Sequence, residues 1–366
     1  MSDVQIIDLV WIDPAARGLA NSGAANVTNL LADADLSYVL VNADSDFIPI
    51  LAAVDSAKVR VVAIPRPARL LWREFHVLRL AAGAVLFGHR VYYTSWLPRL
   101  CACVLLLPIA CRLVVHDLNS FRPRIYDAKF RRPSLLSRLH QWLSIKRATV
   151  VQCFARSVAR QLKLLRADGA TVISQTVTVV RPAEIQKRPG SAVIFLDERD
   201  CKGTWVLDRF WCSGKAFQLT VIGKIDPLHE TRLRARGIAV RSVRPSEAEK
   251  CQLLADAEFL IFCSKYEGFG LPVREAAAFG TPSLIARRAA LLDVPPALSL
   301  SIDAFGDRVD LAEVARRAAV IDPGALKRWA EGFLGPVSTA WSPQSAGRAA
   351  PRRATASRSR LSQRGA

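Results

Sequence analysis

Two carboxylates flank a glycine turn in the stretch Lys265 to Pro282, KYEGFGLPVREAAAFGTP. Glu267 precedes the turn and Glu275 follows it. Gly268 and Gly270 allow a backbone to approach a ligand closely. Pro272 suits the first turn of a helix, where no N–H is needed. Ala276, Ala277 and Ala278 favour its continuation, and Gly280 with Thr281-Pro282 suits its end. The unpaired N–H groups at such a helix start carry partial positive charge and favour a phosphate. A carboxylate beside a phosphate would be repelled. Glu267, in the loop, and Glu275, expected in the first helical turn, are therefore read as accepting hydrogen bonds from hydroxyls. Phosphate-binding N–H groups between two such carboxylates describe a pocket for a nucleotide sugar. A helix start capped for its own sake needs neither two glycines nor two acids.

His116 ends the apolar run Arg112-Leu-Val-Val. Ligands of doubly wound sheets bind at the C-terminal ends of strands, which is where this residue falls. A hydrogen-bonded structural histidine, with Asp117 as a turn cap, fits the same periodicity. Phe217–Gly223 ends in glycine, as a strand close to a nucleotide would.

The elements that must position these residues alternate along the chain. Apolar runs at 4–12, 37–42, 59–65, 91–95, 112–118, 148–154 and 176–180 read as strands, with helices at 68–82, at 133–146 and after Phe154. The polar, proline-bearing stretch Arg181 to Gly190 reads as a linker. Strands at 193–196, 217–223, 239–243, 258–263, 283–286 and 297–302 follow. Helices are expected from Lys202 toward Trp211 and at 228–236, 246–255 (capped by Ser246), 308–320 and 325–333. Strands alternating with helices in two halves predict an α/β architecture of two Rossmann-like, doubly wound domains, at 1–182 and 191–335. Arg, Ser and Ala dominate 343–366, which reads as a disordered basic tail.

The chain of 366 residues carries 51 Lys or Arg against 32 Asp or Glu, a net charge of +19. Twelve of the bases and one acid, Asp127, fall within 121–166, and six arginines without an acid fall within 343–366. Such patches suit an anionic membrane surface or a phosphorylated acceptor. No pattern of stacking aromatics accompanies them, which argues against nucleic acid. The eight cysteines form no C-x2-C pair and read as reduced thiols of a cytoplasmic protein, not as metal ligands. Met1-Ser-Asp lacks the basic start of a signal peptide.

The whole string from Lys265 to Pro282 resembles the signature of glycosyltransferase family 4, retaining enzymes of the GT-B fold. The resemblance covers 85–335. It implies that two Rossmann-like domains face each other across a cleft, and that a hexosyl group passes from a nucleotide diphosphate sugar to an acceptor hydroxyl with retention. Glu275 would bind the donor ribose and Glu267 the transferred sugar. Gly268, Phe269, Gly270 and Leu271 would line the sugar and diphosphate, and His116 would face the sugar across the cleft. The His-Asp-Leu ending at Leu118 is similar to that of mannosyl- and rhamnosyltransferases, so GDP-mannose or a similar donor is expected. Lys202-Gly203 matches the family's diphosphate-binding lysine, whereas Asp197 stands at the position of its arginine; Arg199 is the candidate substitute. Gln152-Cys153-Phe154 departs from the usual serine, and Gly18 and Gly23 replace an adjacent glycine pair. No metal or other cofactor is implied. The acceptor would be a glycan or a lipid-linked hydroxyl, met in the cytoplasm or at the inner face of a membrane. A nucleotide-sugar epimerase or hydrolase, and a non-catalytic partner subunit that keeps the fold, remain open on the same residues.

Overall fold

The computed structural model describes residues 3–10, 36–43, 58–65, 69–95, 100–116, 118, 134–165, 169–173, 177, 179–182, 184–196, 202–214 and 217–334. Two sheets, parallel throughout, organise them. The first contains β1 (Asp3–Asp8), β2 (Leu36–Asn42), β3 (Val59–Ile64), β4 (Arg90–Ser95), β5 (Ala110–Val115), β6 (Val150–Cys153) and β7 (Thr171–Val172), in the order β3-β2-β1-β4-β5-β6-β7. In chain order there follow β8 (Arg188–Leu196), β9 (Phe210–Trp211), β10 (Phe217–Gly223), β11 (Ile238–Val243), β12 (Ala257–Phe262), β13 (Ser283–Ile285), β14 (Ser299–Ser301) and β15 (Val309–Asp310). Six of them form the second sheet, β11-β10-β8-β12-β13-β14, while β9 pairs with β15 alone.

The helices of the first half are α1 (Arg69–Leu86), α2 (Ala102–Leu106), α3 (Leu135–Arg147) and α4 (Arg156–Leu164). Those of the second are α5 (Pro227–Ala235), α6 (Glu247–Asp256), α7 (Leu271–Ala278), α8 (Leu311–Ala318) and α9 (Pro323–Glu331). Ser246 caps α6 in a capping box with Glu249, as its sequence predicts. Parallel strands covered on both faces are apolar without alternation, which is why Phe259–Phe262 of β12 is buried at every position. One cluster of buried side chains runs from Val39 and Val114 in the first half to Leu260, Phe269 and Phe279 in the second, so the halves share a core. In the first half, Arg73 of α1 donates from Nε to Asp8 Oδ2 over 2.6 Å, both side chains fully buried, which fixes α1 against β1. Among the described residues no helix is long and apolar enough to cross a membrane.

Two elements differ from the sequence expectation. Instead of lying in a strand over 176–180, Val177 makes an isolated parallel bridge to Leu334, and its N–H donates to the Phe333 carbonyl over 2.8 Å. The first sheet already ends at β7, so the apolar residue finds its partner in the segment returning after α9. The helix expected from Lys202 is a 3-10 turn over Thr204–Arg209 leading into β9, entered through Gly203 at φ 110°. The left-handed glycine and the strand only six residues on leave no room for an α-helix. The Gly18–Gly23 loop, Asp117, Asp197, Arg199 and the basic tail lie outside the described residues.

Candidate active site

The turn after β12 is built as its glycines require. Gly270 is the N-terminal cap of α7 at φ 76° and ψ 52°, a left-handed conformation, and a Cβ there would lie 2.8 Å from Leu291 Cδ2. Pro272 follows in the first turn. At the other end Gly280 adopts φ 74°, the left-handed stop expected of it. The α7 N-terminus faces a cavity of about 340 Å³ that the ends of strands from both sheets enclose. His116 and Phe154 come from the ends of β5 and β6, Phe195 and Leu196 from β8, and Ile222 from β10. Gly268, Phe269, Gly270 and Leu271 line the opposite wall with Glu267, and Lys202 reaches in from the turn after β8.

Lys202 Nζ and Glu267 Oε1 form an ion pair within this cavity, with 22% and 14% of their side chains exposed. The sequence places these residues 65 apart, and the crossover from β8 to β12 brings them together. His116 is half-buried, its ring centroid 4.9 Å from that of Phe154. Burial pushes its pKa down to about 4, so the imidazole is neutral at physiological pH.

Glu275 stands elsewhere. It is the fifth residue of α7, not a first-turn residue, and it does not line the cavity. Its Oε1 accepts from Lys250 Nζ of α6 over 3.0 Å, and Lys250 also lies 2.6 Å from Glu247. Burial raises the pKa of Glu275, and Lys250 opposes the rise. Helical geometry is the reason for the difference: from a cap at 270, position 275 lies a turn and a half along the helix and projects toward α6, not toward the turn. Gly223 likewise does not line the cavity. It adopts φ 123°, and a Cβ there would fall 1.9 Å from the Leu196 carbonyl oxygen. Close approach of β10 to the end of β8 is what demands glycine.

Two residues that the sequence reading passed over hold the turn in place. Arg274 is buried, with its guanidinium 3.6 Å above the Phe269 ring, 4.8 Å from Phe333 and 5.4 Å from Trp329, and it donates to the Phe269 carbonyl. Burial lowers its pKa to about 10, and the three rings supply cation–π contact. The aromatic pair four residues apart, Trp329 on α9 and Phe333 just after it, was the available signal. Tyr266, next to Glu267, accepts from the Leu118 N–H over 3.1 Å and donates to Gln161 Oε1 over 2.9 Å. Asp293 accepts from the Arg156 N–H over 3.0 Å. These bonds tie the second half to the first beside the cavity. Away from it, Glu74, Cys101 and Cys103 bring one possible metal-ligand atom each within 4.8 Å of one another, an arrangement the scattered cysteines did not suggest. Glu74 there accepts the first N–H groups of α2, from Ala102 and Cys103.

No protein-family model and no curated protein matches the sequence. Solved structures do resemble it. A sucrose-phosphate synthase from Thermosynechococcus elongatus superposes with a TM-score of 0.59 over 90% of this chain and 98% of its own, at 17% identity. The lipopolysaccharide outer core galactosyltransferase WaaB gives 0.60 over 91% and 95%, at 13% identity. The fold is GT-B. A pneumococcal O-GlcNAc transferase, GtfA, solved with UDP and GlcNAc, gives 0.57 over 91% and 96%, at 11% identity. The fold is what this chain shares with these proteins.

Proposed function

We propose that this chain is a glycosyltransferase that moves a hexosyl group, in the mannosyl class, from a nucleotide diphosphate sugar to a hydroxyl of a glycan or lipid-linked acceptor, with retention at the anomeric carbon. The observation that carries the reading is the Lys202–Glu267 pair, set inside the cavity beside the N-terminus of α7. In this reading the incoming diphosphate, with more charge than one carboxylate, takes Lys202 from Glu267. Glu267 is then released to accept from hydroxyls of the transferred sugar. The N–H groups of the Gly268–Leu271 turn and Lys202 stabilise the charge that gathers on the departing diphosphate, an interaction stronger in the transition state than before it. Neutral His116 faces the sugar from across the cavity. Arg199 would complete the diphosphate contacts. The ribose role expected of Glu275 passes through its pairing with Lys250, since the carboxylate already shares that cation. No metal enters this scheme. The enzyme works in the cytoplasm, at the inner face of a membrane when its acceptor is lipid-linked.

Turnover by variants tests it. Lys202→Ala should lower turnover about a hundredfold or more, the scale of losing one preorganised oxyanion donor. Glu267→Gln should fall comparably with its fold intact by circular dichroism. Wild-type turnover in both removes the central role given to the pair.

A further inference from the structure

The first sheet carries a helical face that the transferase reading does not use. The connections β3 to β4, β4 to β5 and β5 to β6 all step the same way along a parallel sheet. Right-handed crossovers therefore place α1, α2 and α3 on one face, where α2 packs against both of the others.

The helix α1 is apolar on both sides. Arg73, Val77, Ala81 and Ala84 point to the sheet and are buried. Leu71, Phe75, Leu78 and Val85 recur on the outer side at spacings of three, four and seven, exposed by 71%, 53%, 47% and 56%. Leu86 and Phe87 extend the stripe at 84% and 81%. On α3 the same occurs: Leu135, Leu136 and Leu139 are 74%, 77% and 48% exposed, with Trp142 and Leu143 behind them. A surface helix ordinarily turns polar residues to water, and large apolar side chains exposed along two helices of one face mark a contact surface.

Charge selects the partner. Leaving aside Arg73, which is buried against Asp8, α1, α2 and α3 carry five arginines and lysines and one acid, Glu74. That acid accepts the first N–H groups of α2. Arg79, Arg138 and Lys146 lie among the exposed apolar residues, and Lys146 Nζ stands 5.9 Å from the Trp142 ring. A second copy would present the same basic face, and so would the arginine-rich tail. We propose that this face docks on an anionic lipid bilayer: the leucines and phenylalanines enter the acyl boundary, the tryptophans sit at headgroup level, and the bases meet lipid phosphates. Crossover helices run antiparallel to the strands they join, so Leu71 and Leu135 lie at the strand ends that also bear His116. The docked face therefore borders the cavity mouth, where a lipid-linked acceptor would emerge; that last consequence rests on the transferase reading, while the docking itself does not.

The test is co-sedimentation of the full-length protein, without any donor, on phosphatidylcholine vesicles with and without phosphatidylglycerol. Binding should require phosphatidylglycerol and weaken with salt, with tryptophan fluorescence shifting to the blue. Leu71→Asp/Phe75→Asp should cut partitioning at least about tenfold. Leu136→Asp/Leu139→Asp, on the neighbouring helix, should do the same, with melting temperatures unchanged in both because the four residues are exposed. Failure of the wild type to bind overturns the proposal. Binding that both variants retain and that deletion of 343–366 abolishes assigns lipid contact to the tail and overturns it too. A dimer disrupted by the same substitutions, without vesicle binding, would make the face a self-association surface. Because no arm reads turnover, failure here leaves the transferase reading standing, and loss of turnover leaves this one.

Discussion

Replacing Lys250 by methionine separates what Glu275 does for the fold from what it does for a donor. Lys250 and Glu275 have 11% and 10% of their side chains exposed, and their charged atoms lie 3.0 Å apart. Methionine keeps most of the lysine stem and removes the cation, which leaves a buried carboxylate that burial already disfavours. Removing one partner of a buried pair costs about 3–5 kcal/mol, a large part of the 5–15 kcal/mol typical of a folded domain. The stranded charge causes most of this loss. Lys250→Met/Glu275→Gln should therefore be more stable than Lys250→Met alone, a non-additivity readable as a double-mutant cycle. The pH dependence has a definite sign. The folded-state pKa of Glu275 lies above its unfolded value, so protons bind more tightly to the folded chain, and the deficit of Lys250→Met shrinks as pH falls from neutral to mildly acid. The Lys250 pKa is raised, so its own contribution is intact at neutral pH and lost only as pH rises through its folded value. Urea unfolding across this range measures all three. A Lys250→Met loss below about 1 kcal/mol, or strict additivity in the cycle, would refute the buried-pair argument. If Glu275 also contacts the donor ribose, Glu275→Gln raises the donor KM beyond what its stability change explains.

Gly223→Ala should destabilise by about 2–6 kcal/mol, from a left-handed backbone and a Cβ forced onto the Leu196 carbonyl; an unchanged melting temperature would contradict that geometry. His116 has a folded pKa of about 4 against an ordinary 6.5, so the stability it contributes is present above 6.5 and lost as pH falls through 4. His116→Phe should flatten the acid limb of the urea midpoint between these values, and an identical limb in both proteins would remove the claim.

The second half was the more legible in sequence. Several of its strands are short apolar runs that meet Gly or Pro, at Gly223 of β10, Gly237 before β11 and Pro282 before β13, and the Gly270, Pro272 and Gly280 positions each demand a backbone that only those residues take readily. The meeting of Lys202 with Glu267 could be expected from the resemblance alone, because sheet order and not sequence distance decides it. The Lys250–Glu275 pair was not legible: Lys250 reads as an ordinary surface residue of α6 until packing brings that helix against α7. Arg274 was not legible for the same reason. An arginine in a helix next to a carboxylate reads as a solvated charge, whereas three rings, two of them on α9 and the segment after it, enclose it. Val177 shows the limit of period-two patterns. Alternation marks an extended residue but does not say which chain segment will pair with it.

Nucleotide-dependent stabilisation bears most directly on the claim that the cavity binds a nucleotide diphosphate sugar. Thermal unfolding of the full-length wild type would be followed with UDP, GDP and ADP and with their sugars, each beside Lys202→Ala. A ligand at a hundred times its dissociation constant stabilises by about 2.7 kcal/mol. At least one nucleotide, with GDP and GDP-mannose the expected pair, should raise the wild-type midpoint, and Lys202→Ala should lose most of that rise. A panel in which no nucleotide moves the wild type, or in which Lys202→Ala responds as fully as the wild type, contradicts the account.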